Sequence, residues 1–319
     1  MVASVLIKCV LVKKIADRLV SMKIVGIHGI AHTHLTAPEI EREWLPAIQG
    51  GLEEAGFPRI ATGDFEIAAY GALFRPTGTR TGALPNLRPE DVQTEEETQL
   101  LVAWWREAAA LSVANQVEPD PLGEALSIQG PDFEGRGATP KIVQRALRQL
   151  AKSKYFIALG GERAILFLLK QVRSYLYDLE MKQAIQKRVI EKVTPDTRVI
   201  IGHSLGTVVA YECLCAHPEW NVQTFVTLGS PLGMSPIVFD ALTPSPQAGR
   251  GSYPQVKQWL NVADQGDIVA LEKKLAPKFG SVVDCLVHNG WESHSATRYL
   301  NSKETGRAIA TGLGGDWNR

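Results

Sequence analysis

The sequence has little cysteine and no long apolar run. Four of its 319 residues are cysteines, namely Cys9, Cys213, Cys215 and Cys285, and no two of them form a C-x-x-C pair. A chain of this size has little need of disulfide bonds, so this usage favours free thiols and a cytoplasmic location. The apolar runs are far shorter than the roughly 20 residues that a membrane-spanning helix needs, so we expect no transmembrane segment.

The chain also has no net charge. The chain has 34 Lys plus Arg and 34 Asp plus Glu, which cancel. A general nucleic-acid-binding protein needs an excess of cations along the phosphates, so this class is excluded. Apolar residues make up 45% and charged residues 21% of the chain, values typical of a globular protein.

The strongly patterned part of the sequence begins at Met22. Residues 1–21 start with a fairly apolar run, but Lys8 interrupts it, and neither a basic region before it nor a small-residue cleavage site after it marks a signal peptide. We therefore interpret residues 1–21 as an N-terminal extension and residues 22–319 as a single domain.

Short apolar runs alternate with helical patterns along this domain. The predicted strands are residues 23–27, 65–70, 198–201, 224–228, 256–262 and 281–287. The predicted helices are residues 38–51, 94–115, 139–193 with a break at Gly160-Gly161, 205–217 and 295–310. This alternation predicts an α/β fold with a mainly parallel sheet and helices on both faces. Residues 72–195 are mostly helical, interrupt the alternation and are interpreted as a cap.

The most informative motif is Gly202-His203-Ser204-Leu205-Gly206. It has the form G-x-S-x-G and lies between a predicted strand and a predicted helix, which is the context of a nucleophile elbow. Glycines at the first and last positions leave room where side chains would collide in so sharp a turn. Ser204 is therefore the candidate nucleophile.

Around this motif the sequence resembles the α/β-hydrolase superfamily, and more narrowly its bacterial lipase- and esterase-like members that are similar to GPI-inositol deacylases. The resemblance rests on five blocks in a fixed order: V-G-I-H-G-I at 25–30, I-I-G-H-S-L-G at 200–206, V-T-L-G-S-P-L at 226–232, W-L-N-V-A-D-Q-G-D-I-V-A at 259–270 and H-S-A-T-R-Y-L at 294–300. It implies an α/β-hydrolase fold with a helical cap, and a serine hydrolase that needs no cofactor.

A serine hydroxyl needs a base to take its proton, and the resemblance implies the chain order serine, acid, histidine. Of the seven histidines, three follow Ser204: His217, His288 and His294. His217 lies about three turns along the predicted helix, too far to reach the hydroxyl. The resemblance favours His294, in a loop beyond the last strand, and His288 is the alternative base.

Two aspartates are candidates for the acid that orients the histidine. Asp264 and Asp267 both follow the predicted strand 256–262. The resemblance places the acid before a short hydrophobic pair, here Ile268-Val269, and so favours Asp267. The alternative acid, Asp264, is then expected to shape the loop by binding backbone N–H groups.

Acyl transfer also needs donors for the oxyanion. The resemblance implies the backbone N–H groups of Leu205, directly after the nucleophile, and of Ile30, in the loop after the first strand. The same loop carries His28, His32 and His34, for which a metal site is the alternative interpretation. No acid follows them at a metallohydrolase spacing, so no metal is expected.

These observations predict a serine hydrolase that cleaves a carboxylic ester, with a small-molecule or lipid ester as its substrate. The same triad would also serve a thioesterase, a peptidase or an acyltransferase, and the fold could persist as a non-catalytic binding module. Apolar runs in the helical insertion, Trp104-Trp105 and residues 165–169 among them, are interpreted as core of the cap or as the lining of an acyl pocket.

Overall fold

The computed structural model describes residues 22–30, 32–75, 85–114, 140–152 and 161–315. The predicted N-terminal extension, residues 1–21, lies outside the described residues. Gly160, the first half of the predicted helix break, also lies outside them.

A single parallel sheet forms the centre of the molecule. Its strands are β1 (Lys23–Ile27), β2 (Phe65–Ile67), β3 (Thr197–His203), β4 (Thr224–Leu228), β5 (Gln258–Asp264) and β6 (Val282–Val287). The six strands are ordered β2-β1-β3-β4-β5-β6, and every neighbouring pair is parallel. The predicted α/β class is therefore confirmed.

Helices cover both faces of this sheet. They are α1 (Ala37–Glu54), α2 (Glu95–Ala114), α3 (Pro140–Lys152), α4 (Glu162–Tyr177), α5 (Leu179–Ile190), α6 (Leu205–Ala216), α7 (Ala276–Phe279), α8 (Ala296–Leu300) and α9 (Lys303–Gly312). We call α2 to α5 the insertion helices. Within the described ranges, every helix is too short or too polar to span a bilayer.

The two faces of the sheet bury separate apolar clusters. On one face, α1, α8 and α9 pack against side chains such as Val199, Val226 and Val262. On the other, α6 and the insertion helices share one cluster with Ile200 and Phe225. Alternate residues of each strand point to opposite faces, so runs of consecutive apolar residues are needed where both faces are covered.

A buried polar network ties the insertion helices to α6. The Glu212 carboxylate accepts hydrogen bonds from Tyr175 Oη at 2.6 Å, Lys182 Nζ at 2.9 Å, Gln186 Nε2 at 3.1 Å and the Thr243 N–H at 2.8 Å. A buried charge is tolerated when its partners satisfy it in this way. The network fixes α4 and α5 against the helix that begins at the candidate nucleophile.

The predicted end of the first helix at Gly50-Gly51 is wrong, because α1 continues to Glu54. A Cβ on Gly51 would lie 2.3 Å from the Leu300 carbonyl oxygen, and one on Gly50 would lie 2.0 Å from Asn301 Oδ1. The glycines allow α1 to approach the C-terminal helices closely instead of ending the helix.

Three other predicted boundaries differ from the structure. The second strand ends at Ile67 because the Tyr70 N–H donates to the His28 ring at 3.1 Å, which takes the chain away from the ladder. The fifth strand is displaced and runs through Asp264. The C-terminal helix divides into α8 and α9, and Ser302 Oγ caps the second by accepting the Thr305 N–H at 3.3 Å.

The long predicted helix 139–193 also divides at a position that its pattern did not indicate. Asp178 separates α4 from α5 and accepts the Met181 N–H at 3.1 Å, so it is the N-cap of α5. An aspartate at this position satisfies one of the N–H groups that have no partner within the helix.

Candidate active site

The loops that follow β1, β3, β4, β5 and β6 meet beyond the carboxyl ends of the strands. This is the edge at which open parallel sheets bind ligands. Ser204 follows β3, Asp267 follows β5 and His294 follows β6, while Ile30 lies in the loop after β1. The fold therefore brings residues from remote parts of the chain to one edge.

Ser204 occupies a strained turn between β3 and α6. Its backbone has φ 54° and ψ −129°, a conformation that side-chain-bearing residues rarely adopt. A Cβ on Gly202 would lie 2.6 Å from Thr207 Cα, and one on Gly206 would lie 2.2 Å from the Ile27 carbonyl oxygen. Both flanking glycines are thus required by close backbone contacts, as the elbow motif predicts.

Neighbouring loops hold the Ser204 backbone in place. The Ser204 N–H donates to the Leu228 carbonyl at 3.0 Å, and Thr207 Oγ1 donates to the Ser204 carbonyl at 2.7 Å. A Cβ on Gly29 would lie 2.6 Å from Ser204 Cβ, so the loop after β1 passes directly beside the serine. Strain of this kind persists only where the surroundings determine it fully.

His294 and Asp267 are in direct contact. The His294 Nδ1–H donates to Asp267 Oδ2 at 2.8 Å. The same carboxylate accepts hydrogen bonds from Tyr299 Oη at 2.7 Å and from the Val269 N–H at 2.9 Å. With its proton on Nδ1, the neutral imidazole presents the lone pair of Nε2, which is the tautomer that a general base requires.

The surroundings keep Asp267 ionised. Burial acts to raise the pKa of its carboxyl group, but the charge of His294 and the hydrogen bonds from His294, Tyr299 and Val269 outweigh it and lower the pKa to about 2. A carboxylate in this position stabilises an imidazolium without taking its proton.

Gly229 allows these groups to meet. It follows Leu228, the residue whose carbonyl binds the Ser204 N–H, and it has φ +54°. A Cβ on Gly229 would lie 2.7 Å from Asp267 Oδ2 and 3.0 Å from His294 Nδ1. The turn after β4 therefore contacts both the serine turn and the histidine–aspartate pair, and a side chain at Gly229 would displace the pair.

The alternative acid and base lie apart from this pair. Asp264 is the last residue of β5, and its carboxylate accepts the N–H groups of Gly266, at 2.6 Å, and Asn289. It therefore shapes the loop that carries Asp267. His288 is exposed directly after β6. His217 caps the far end of α6, where its Nδ1 binds Glu219 Oε1 at 2.8 Å.

His203, next to the candidate nucleophile, supports the His294 loop. Its Nε2–H donates to the His294 carbonyl at 2.9 Å, and the two rings lie 4.7 Å apart. Burial lowers the pKa of His203 well below its usual value, so the ring is neutral. Its buried Nδ1 has no hydrogen-bond partner among the described residues. The neutral His203 ring thus holds the His294 backbone through the hydrogen bond from its Nε2–H.

This contact predicts that His203 positions His294. We expect His203→Phe, which fills the space but lacks the donor, to lower kcat by about 10- to 100-fold, the range typical of groups that orient another side chain. His203→Gln, which keeps an N–H donor, should retain more of the activity. Steady-state kinetics on a soluble ester, with the melting temperature of both variants as control, measures this. Equal kcat values in the two variants would contradict the role.

His28 fixes the loop that carries Ile30. Its Nδ1–H donates to the Gly29 carbonyl at 2.6 Å, while Nε2 accepts the Tyr70 N–H at 3.1 Å. The carbonyl and N–H of a trans peptide point in opposite directions, so the bond to the Gly29 carbonyl directs the Ile30 N–H away from His28. Leu205 is the first residue of α6, so its own N–H has no acceptor within the helix.

The buried His28 ring should make the folded protein less stable at acidic pH. Burial lowers its pKa to about 3, from an ordinary value of 6.5. The unfolded chain binds this proton below pH 6.5 and the folded protein does so only near pH 3, so stability decreases as the pH falls through that window. One such group contributes about 1.4 kcal/mol per pH unit.

Urea unfolding at several pH values between about 4 and 7 tests this contribution. In the His28→Gln variant the decrease of the unfolding free energy toward low pH should be shallower than in the wild type by about 1.4 kcal/mol per pH unit. Parallel decreases in the two proteins would show that His28 does not control it.

The histidines of this loop contact the backbone or the solvent. Both ring nitrogens of His28 bind the backbone, His32 Nδ1 donates to the Ile30 carbonyl at 2.9 Å, and His34 is exposed. Throughout the described residues, no group of three or more His, Cys, Asp or Glu side chains is arranged to hold a metal ion.

A small apolar cavity adjoins Ser204. Its volume is about 20 Å³, and it is lined by Ile30, Leu100, Trp104, Val172, Ser204, Leu205, Pro231, Met234, Val238 and Val269. Leu100 and Trp104 belong to α2 and Val172 to α4, so insertion helices form one wall. Among the described residues of this lining, Ser204 is the one that bears a hydroxyl group, and none carries a charge.

Sequence reasoning missed the supporting residues. His203 and Gly229 lie within blocks that carry the resemblance, but no spacing rule assigns a role to either. Tyr299 follows His294 on the first turn of α8 and both donates to Asp267 and accepts the Asp264 N–H, at 3.0 Å. A tyrosine on the buried side of a short helix is an ordinary core residue by pattern alone.

Comparison with known families agrees with this architecture. Residues 162–311 match the family model described as PGAP1-like alpha/beta domain, a GPI inositol-deacylase family in the α/β-hydrolase superfamily. The match extends from α4 into α9 and so includes Ser204, Asp267 and His294 but not Ile30. No curated protein and no solved structure gives a significant match. The resemblance predicted from the sequence is confirmed for this part of the chain, and it supports a hydrolase.

Proposed function

We propose that this α/β-hydrolase-type protein is a serine esterase that cleaves carboxylic esters with an apolar acyl group. The observation that carries the proposal is the Asp267–His294 hydrogen bond of 2.8 Å, formed at the sheet edge where Ser204 occupies a strained turn. The PGAP1-like match over the same residues supports the hydrolase class.

In the proposed reaction, Ser204 Oγ attacks the ester carbonyl while His294 Nε2 takes the hydroxyl proton. Asp267 stabilises the imidazolium through the Nδ1–H bond. The N–H groups of Leu205 and Ile30 donate to the oxyanion, and losing one such donor costs on the order of 3 kcal/mol in the barrier. His294 then protonates the leaving alkoxide, which leaves an acyl group on Ser204.

Water completes the cycle. His294 takes a proton from a water molecule as the water oxygen attacks the acyl carbonyl. The second tetrahedral intermediate then collapses, and His294 returns the proton to Ser204 Oγ as the acyl–oxygen bond breaks and the acid is released. The oxyanion donors act again in this step, because the same oxygen carries the charge in both intermediates.

The cavity limits the acyl group. The described residues of its lining are apolar apart from Ser204, so a charged or strongly polar acyl group would lose its hydration without gaining partners among them. A volume of about 20 Å³ admits little more than one water molecule. Binding of an acyl chain therefore requires side chains of the insertion helices, such as Leu100 and Trp104, to move aside.

A substrate panel tests the bond and the acyl length together. We expect p-nitrophenyl esters of short, unbranched acids to give the highest kcat/KM, with lower values for long acyl chains that need a larger displacement. Acyl thioesters and peptide amides serve as comparison substrates. Faster turnover of thioesters or amides than of every ester would assign the site to another member of the serine hydrolases.

A further inference from the structure

Helix α3 has one apolar and one strongly basic side. Val143, Ala146, Leu147 and Leu150 are buried. The opposite side carries Lys141, Arg145, Arg148 and Lys152, all of them exposed, and we call these four residues the basic face. The helix contains no acidic residue, although cations and anions balance over the whole chain at 34 each.

The basic face lies on the outside of the layer that covers the cavity. The buried side of α3 belongs to the same apolar cluster as Leu100 and Trp104, which line the cavity beside Ser204. Helices α2 and α3 pack directly against each other. One layer therefore separates the candidate nucleophile from a surface of concentrated positive charge.

Cations outnumber anions among the described residues of this surface. Gln144 and Gln149 complete a shallow open groove with the four cations. Among the described residues, Glu90 faces this side, and its Oε1 accepts from Gln144 Nε2 at 3.5 Å. On the adjoining helices, Glu97 of α2 is bound to Lys170 of α4 at 2.7 Å, so that carboxylate is engaged elsewhere.

We infer that the basic face docks the protein on an anionic lipid bilayer, which holds the cavity and Ser204 close to esters at the bilayer surface. The inference rests on the proposed esterase function. Charge complementarity selects the partner, because cations clustered on one side of an amphipathic helix are attracted to acidic headgroups.

The composition of the face favours lipid over nucleic acid. Proteins that bind single-stranded nucleic acids place aromatic side chains between the cations for base stacking, and none of the described residues that line this groove is aromatic. These described lining residues also include no apolar side chain that would insert into the bilayer. Binding is therefore electrostatic and should weaken as salt shortens the screening length, which is about 10 Å at 0.1 M.

Vesicle co-sedimentation of the full chain tests the inference. The probes are vesicles of phosphatidylcholine alone and vesicles with added phosphatidylserine, at low and high salt. We expect the wild type to bind the anionic vesicles and not the neutral ones. The Lys141→Gln, Arg148→Gln, Lys152→Gln triple variant should bind them roughly 100-fold more weakly, because each cation near an anionic surface contributes about fivefold.

A matched control removes the same charge elsewhere. Lys187, Arg188 and Lys303 are exposed on α5 and α9, and replacing all three by glutamine should leave vesicle binding unchanged. Equal loss in both triple variants, equal binding to neutral vesicles, or unchanged binding without the basic face would each overturn the inference.

Turnover of a soluble short-chain ester separates this inference from the proposed function. Both triple variants should hydrolyse the soluble ester like the wild type, because none of the altered residues lines the cavity. A wild type that hydrolyses soluble esters but does not bind anionic vesicles would overturn the docking inference alone. A wild type that binds them through the basic face but hydrolyses no ester would overturn the esterase proposal and keep the docking surface.

Discussion

Replacement of Ser204 by alanine should lower kcat for ester hydrolysis by about 10⁵- to 10⁶-fold, the loss typical when the nucleophile of a cooperating triad is removed. Alanine keeps the Cβ, so the strain at φ 54° is the same in both proteins, and the variant should fold normally. Steady-state kinetics with an activated ester measures the effect. A melting temperature close to that of the wild type shows that the fold is intact.

Ser230 provides a matched control for this variant. It is buried near the same edge of the sheet, where its Oγ lies 2.8 Å from Thr207 Oγ1. Its Oγ also accepts the Leu232 N–H at 3.2 Å. Ser230→Ala removes these two hydrogen bonds without touching the proposed nucleophile, so kcat should remain within about 30-fold of the wild type, as expected for two bonds of about 1 kcal/mol each. Comparable losses in the two variants would mean that Ser204 has no special chemical role.

The second large effect is expected at the acid. Asp267→Asn should lower kcat by about 10⁴-fold, because an amide neither stabilises the imidazolium nor selects the Nδ1–H tautomer. Asp264→Asn should cost at most about tenfold in kcat, since it weakens the hydrogen bonds that shape the loop. Activities of both variants, measured on the same soluble ester, distinguish the two aspartates. A larger loss in Asp264→Asn would reverse the assignment.

The pH profile adds a check on Asp267. With its pKa lowered to about 2, this carboxyl group remains ionised above about pH 4, so its protonation should not contribute to the acidic limb of kcat/KM there. An amide at position 267 should therefore reduce the rate across the whole measured range.

Local pattern was sufficient to predict the sheet. The apolar strands β1, β3, β4 and β6 are each followed by a turn or helix signal, and the parallel order follows from their alternation with helices. The predicted ends of helices and strands differ from the structure where tertiary contacts determine them. Gly50-Gly51 has the composition of a helix end, but contacts with α8 and the residue after it make it a close-packing site, which no local pattern shows.

The residues of the candidate site also differ in how far a local pattern predicts them. Ser204 could be predicted from a motif with a mechanical meaning, because a strand that turns sharply into a helix needs glycine on both sides. His294 and Asp267 were selected by resemblance, since spacing alone left His288 and Asp264 open. His203 supports the His294 loop from a position 91 residues away in the chain, and contacts of that range become visible only in the folded protein.

The most direct test of the triad is chemical labelling of the serine. A fluorophosphonate probe is added to the wild type, to Ser204→Ala and to Asp267→Asn, and the modified residue is located by peptide mass mapping. The triad predicts rapid modification of the wild type at Ser204 alone, none in Ser204→Ala, and much slower modification in Asp267→Asn. Modification at another residue, or equal labelling of all three proteins, would contradict it.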